Sequence, residues 1–103
     1  MADINVALHV RVEALPGKEE EVAAFLREGL ALVQEEPGTV AWFAVRLSPS
    51  TFAIFDAFPD DDARQAHLAG RLGSALTERA GELFAQPPSV EQLDVLAHKL
   101  PST

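Results

Sequence analysis

The chain has 103 residues with sixteen acids against eight bases, a net charge of −8, and 48% hydrophobic residues. That length suits a single domain over 1–103, and the apolar content suits a globular chain rather than a disordered one. Cysteine is absent, which excludes disulfides, thiolate metal sites and thiol nucleophiles, while the acidic balance and the lack of a Lys/Arg stripe set nucleic acids aside.

No apolar run approaches the roughly 20 residues that a membrane helix needs. The start, Met1-Ala2-Asp3-Ile4-Asn5, has no basic segment followed by an apolar one, so no signal peptide and a cytoplasmic location are expected. From Ile4 to Ala14, Val6, Leu8, Val10 and Val12 alternate with Ala7, His9, Arg11 and Glu13, which predicts a first strand. Pro16-Gly17 breaks it. Lys18-Glu19-Glu20-Glu21 opens a helix with acids at the positive end of its dipole, and Val22, Phe25, Leu26, Gly29, Leu30 and Val33 form its apolar stripe. Pro37-Gly38 ends the helix.

Thr39 to Leu47 and Thr51 to Phe58, joined by Ser48-Pro49-Ser50, predict a hairpin of two strands. Pro59 and Asp60-Asp61-Asp62 start a second helical segment with Ala63, Ala66 and His67 on one face. A break is expected near Gly70, and the segment resumes with Leu72, Leu76, Leu83 and Phe84. Pro87-Pro88 ends it, and Ser89 to Leu100 is predicted as the last strand.

The order β-α-β-β-α-β predicts an α+β ferredoxin-like fold, a four-stranded antiparallel sheet with helices on one face. Its other face should then be polar, and it is not. In the second strand Val40, Trp42 and Ala44 oppose Ala41, Phe43, Val45 and Leu47. In the third, Phe52, Ile54 and Phe58 oppose Ala53, Phe55 and Ala57. A sheet apolar on both faces needs cover on both, and the expected second cover is another copy, a homodimer through the sheet face.

Three pieces in this order resemble the antibiotic biosynthesis monooxygenase family over almost the whole chain. They are Pro16-Gly17-Lys18-Glu19 ahead of a helix, Glu36-Pro37-Gly38-Thr39 ahead of a strand, and Phe55-Asp56-Ala57-Phe58 leading through acids to Ala63-Arg64-Gln65-Ala66-His67-Leu68. The resemblance implies a dimeric α/β barrel of two ferredoxin-like units. It also implies oxygenation of polyketide-like aromatic phenols or quinols by molecular oxygen, with no metal or flavin cofactor. Some members degrade haem, using an Asn on the first strand, a Trp ending the third and a His on the second helix. Here Val10, Phe58 and either Arg71 or Leu72 stand near those places, so haem chemistry is not expected.

His67 matches a His that recurs in the wider family. As a group with an ordinary pKa of about 6.5 it suits the role of catalytic base or of anchor for a substrate oxygen; it could equally be a core histidine. Asp56 interrupts an apolar strand face and needs a partner, either His67 or a helix N-terminus or Arg64. As substrate-binding candidates Trp42, Phe52, Ile54 and Phe58 would supply a dry wall, and Arg46 a partner for an anion, although each also has a packing or surface reading. His9, His98 and Asp94 lack tight metal-ligand spacing, so no metal is expected. No phosphate loop or nucleophile elbow is present. Tyrosine is absent, which removes phenolic donors from any pocket.

The expected function is a cofactor-independent monooxygenase acting on a small hydrophobic aromatic ligand. The alternatives are a non-catalytic dimer that binds such a molecule, or an isomerase or cyclase on the same fold.

Overall fold

Alternation of apolar residues along four segments and three- and four-residue spacing along the others produce seven elements in a computed structural model that describes residues 3–101. They are β1 (Val6–Glu13), α1 (Glu19–Val33), β2 (Ala41–Arg46), β3 (Thr51–Phe58), α2 (Asp61–Leu68), α3 (Arg71–Leu83) and β4 (Ser89–Asp94). The strands form one antiparallel sheet in the order β2-β3-β1-β4, the ferredoxin-like arrangement, and the sheet is not closed.

The pairing register places Trp42, Asp56, Leu8 and Gln92 in one row across the sheet, and Ala44, Ile54, Val10 and Val90 in another. Both rows face the helices. There Val10, Val12, Val22, Phe25, Leu26, Phe52, Ile54 and Leu83 form the main core. The second helical segment divides into α2 and α3 around Ala69-Gly70. Gly73 allows this close turn, because a Cβ there would meet the carbonyl oxygen of Leu68 at 2.5 Å. Asp60 caps α2 by accepting from the Ala63 amide at 2.9 Å.

The opposite sheet face is open. Phe43, Val45, Leu47 and Phe55 are 54%, 44%, 50% and 38% exposed on it. At one end of this face Ile4, Ala7 and Ala57 gather Val40, Leu93, Val95 and Leu100 into a small second cluster.

The last strand is shorter than the sequence pattern predicts, ending at Asp94 rather than Leu100. Asp94 pairs with Val6, the first residue of β1. One further bond follows, from the Val95 amide to the Asn5 carbonyl at 3.0 Å. Beyond that β1 has no backbone left to pair with, so 95–101 continues as irregular chain whose Val95 and Leu100 still pack.

Leu83 has no exposed surface and joins α3 to the core. Leu83→Ala is expected to lower stability by about 2–5 kcal/mol, read from the urea unfolding midpoint; a loss well under that range would show that α3 is not part of the cooperative core.

Candidate functional site

Asp56 sits where strand alternation puts it, between Ile54 and Phe58 on the helix-facing side of β3, and it has no exposed surface. Two of its possible partners are engaged elsewhere. Arg64 donates to Asp61 and to the carbonyls of Ala7 and Leu93, and the start of α2 is capped by Asp60. His67 is the group that faces it, with Nε2 2.7 Å from Asp56 Oδ2. The ring N–H does not point squarely at that oxygen. The contact is a close ion pair, and neither carboxylate oxygen has a well-directed hydrogen bond among the described residues.

The other ring nitrogen of His67 meets a residue that sequence reasoning did not single out as functional. Nδ1 lies 2.5 Å from Oε1 of Glu36, and the Thr39 hydroxyl donates to the same oxygen at 2.8 Å. The sequence held a signal for this. Glu35 and Glu36 lie just past Gln34, the C-cap of α1, where a helix dipole disfavours negative charge, and the last turn of that helix has no base. Acids in that place need cationic partners. Glu35 finds Arg71 at 3.0 Å and Glu36 finds His67.

With a carboxylate at each nitrogen, the imidazole is best served by two N–H donors, which is the charged form. Burial by itself pushes the His67 pKa down. The close negative charge of Asp56 and the hydrogen bond and charge of Glu36 outweigh it, and the pKa stands raised above its ordinary value of 6.5.

A cavity of about 240 Å³ opens beside this cluster, walled by Leu8, Ile54, Asp56, His67, Leu72 and Val90 among others. Its wall is mostly aliphatic, with Asp56 and His67 as its ionisable groups. A cavity of about 150 Å³ suffices for benzene, so this one has room for a body of about two fused rings.

Of the residues expected to touch substrate, Ile54, Asp56 and His67 line this cavity, and four others do not. Phe58 is fully buried, its ring centroid 5.3 Å from that of His67. Trp42 packs against the main core near Gly29, with its Nε1 buried and without a hydrogen-bond partner among the described residues. Phe52 lies within that core under the Arg46 guanidinium, 4.8 Å from its ring centre. Arg46 itself pairs with Glu20 at 3.1 Å on the surface. Sheet order accounts for part of this: β2, which carries Trp42 and Arg46, is the edge strand remote from β4, whereas the cavity lies over β3, β1 and β4 beneath α2 and α3. His9 meets Glu91 at 3.2 Å, and no group of three His, Asp or Glu among the described residues is placed to hold a metal ion.

No protein-family model matches the chain, and no curated protein matches it. Solved structures do. A "Putative antibiotic biosynthesis monooxygenase" from Nitrosomonas europaea superimposes with a TM-score of 0.79 at 16% identity, covering 89% of this chain and 99% of that one. Another so described, from Bacteroides thetaiotaomicron, gives 0.72 at 24% identity, covering 98% and 97%. The fold is therefore that of the antibiotic biosynthesis monooxygenase-like α+β structures. The NE2512 protein of unknown function from Nitrosomonas europaea is 47% identical over the whole of both chains, with a TM-score of 0.96. This chain belongs to the family of that protein.

The raised pKa of His67 fixes the direction of a pH effect. A group protonated more readily in the folded state contributes stability that is fully present below 6.5 and is lost as pH rises through the raised value. NMR titration of the His67 ring is expected to give a midpoint above 6.5. Glu36→Gln and Asp56→Asn should each lower that midpoint, and the urea midpoint of the unsubstituted protein should fall over the same alkaline interval. A ring that titrates at or below the ordinary value would refute the double ion pair.

Proposed function

We propose that the protein is a cofactor-independent oxygenase of a small, electron-rich phenol or quinol of about two rings, working as a homodimer. The observation that carries this reading is the buried Asp56 carboxylate, without a directed hydrogen bond among the described residues, held against His67 in the wall of a mostly aliphatic cavity. A substrate hydroxyl that donates to this carboxylate would supply the hydrogen bond it lacks. Both nitrogens of His67 already face carboxylates, so the base in this reading is Asp56, and the imidazolium beside it stabilises the negative charge left when the proton leaves. Such an anion gives one electron to molecular oxygen directly. Recombination of the two radicals forms a carbon–oxygen bond as a peroxide, and loss of water leaves one oxygen atom on the product. The protein's part is to orient the ring, keep water out and take the proton.

The shared fold with structures described as antibiotic biosynthesis monooxygenases supports the same chemistry. The apolar sheet face opposite the cavity supports the dimer. Phe43, Val45 and Phe55 form an exposed apolar patch to which β2 and β3 contribute no charged side chain on that face, and a two-fold pair of such faces would cover both.

Purified protein is expected to raise oxygen uptake above autoxidation with members of a panel of dihydroxynaphthalenes, anthrones and quinols. Asp56→Asn should lower the rate by about 10²-fold or more, the usual contribution of a positioned base. Substrate turnover without oxygen uptake would favour an isomerase or cyclase, and tight binding without turnover a carrier. Sedimentation should give a dimer that Phe55→Asp converts to monomer; a wild-type monomer would remove the homodimer.

A further inference from the structure

We propose that the cavity selects its ligand by hydrogen-bond polarity: it takes an uncharged molecule that donates a hydrogen bond at each end, with Thr77 as the outer anchor, and turns carboxylates away. The inference deepens the proposed function by naming the substrate class. It rests on that reading only for the cavity as the ligand site, and it requires no oxygen chemistry.

Three polar side chains line the cavity among the described residues, Asp56, His67 and Thr77. Asp56, as a carboxylate beside an imidazolium, only accepts. His67 has two N–H donors, but Nε2 lies 2.7 Å from Asp56 and Nδ1 lies 2.5 Å from Glu36. Neither is left for a ligand. Thr77 gives its hydroxyl hydrogen to the Gly73 carbonyl oxygen at 3.1 Å, the bond to the preceding turn that a helical threonine can make. What remains on that oxygen are lone pairs, so the polar side chains of the wall offer a ligand acceptors alone.

Charge points the same way. The buried cluster sets two carboxylates against one imidazolium. Of the bases nearby, Arg64 is committed to Asp61 and to the carbonyls of Ala7 and Leu93, and Arg71 pairs with Glu35. An anionic ligand would give up its water for a site of the same sign, which is costly without a cationic partner.

Placement separates the two acceptors. Asp56 lies on β3 and has no exposed surface. Thr77 is exposed, one turn of α3 beyond Gly73, and lines the same cavity as Val90 of β4, which is 50% exposed. Because β1 lies between β3 and β4, the cavity reaches across two strand spacings, about 9–10 Å. A flat two-ring body with a hydroxyl on each ring has a length of this order. One hydroxyl would donate to Asp56 at the inner end and the other to Thr77 at the outer end.

The test is calorimetric binding without oxygen of four naphthalene probes: a diol with one hydroxyl on each ring, the corresponding naphthol, the dimethyl ether of the diol, and the hydroxynaphthoate. The diol is expected to bind about 3–10-fold more tightly than the naphthol, the worth of one net hydrogen bond. The ether and the naphthoate should bind more weakly than either. Thr77→Val keeps the shape of the side chain and removes its lone pairs, and it should bring the diol to the affinity of the naphthol. Thr77→Ser keeps the hydroxyl and should keep the preference. Equal binding of diol and naphthol, a naphthoate as tight as the diol, or a preference retained in Thr77→Val overturns the proposal, as does absence of binding by all four. The comparison of probes on the unsubstituted protein decides the matter if a variant fails to fold. Oxygen uptake measured separately distinguishes the two proposals: the expected order of binding without uptake keeps the selectivity and removes the oxygenase, whereas uptake without that order does the reverse.

Discussion

A carboxylate with no exposed surface, set among Ile54, Phe58 and Leu8 on the inner face of a sheet, is the constraint around which this half of the molecule is arranged. An ionised group in such a place is unfavourable by several kcal/mol unless it is paired. Asp56 has no exposed surface, and Arg64 is committed to Asp61 and to the backbone of β1 and β4. The compensation comes from His67, and α2 exists in the position that brings it there. Its N-cap, Asp60, is two residues beyond the end of β3, and one short helix later His67 faces back onto the strand.

One imidazolium cannot be fully satisfied by one carboxylate, because it has two donors on opposite sides of a rigid ring. The second donor explains the place of Glu36. An acid just beyond the end of α1 works against that helix's dipole, yet it is retained where it closes the second side of the ring. The same logic accounts for Gly70, whose missing side chain leaves the space occupied by the Glu36 carboxylate. Four separate segments, the end of α1, β3, α2 and the turn to α3, thus meet at one histidine.

Much of the fold was legible in the sequence, because alternation in β1, β2 and β3 and the stripe of α1 are strong patterns that tertiary packing had no reason to override. The end of β4 was not legible. Val95 and Leu100 continue an apolar spacing, but a strand extends only as far as its neighbour, and β1 begins at Val6. At the site, Asp56 and His67 stood out because a charge and an imidazole on apolar faces demand an explanation. Trp42, Arg46, Phe52 and Phe58 stood out only for size or charge, and they lie outside the cavity wall because sheet order, which local pattern does not encode, puts β2 at the far edge. Glu36 was visible in principle through its conflict with the helix dipole, but its partner is 31 residues away.

Stability alone gives little reason to keep such a cluster. Replacing a buried ion pair or triad by aliphatic side chains of similar volume is often neutral or stabilising, and the neighbouring residues are already aliphatic. A fold that needed only a core here would reach it more simply with Leu at 56 and 67. The sheet's two faces express the contrast: the open face is apolar where a surface would be polar, and the covered face is charged where a core would be apolar. The proposed homodimer would cover the first departure, and the proposed ligand would meet the second. Because β3 carries Phe55 on one face and Asp56 on the other, a partner that stiffened this strand from outside would also fix the carboxylate inside. Assembly and chemistry would then be joined through a single backbone.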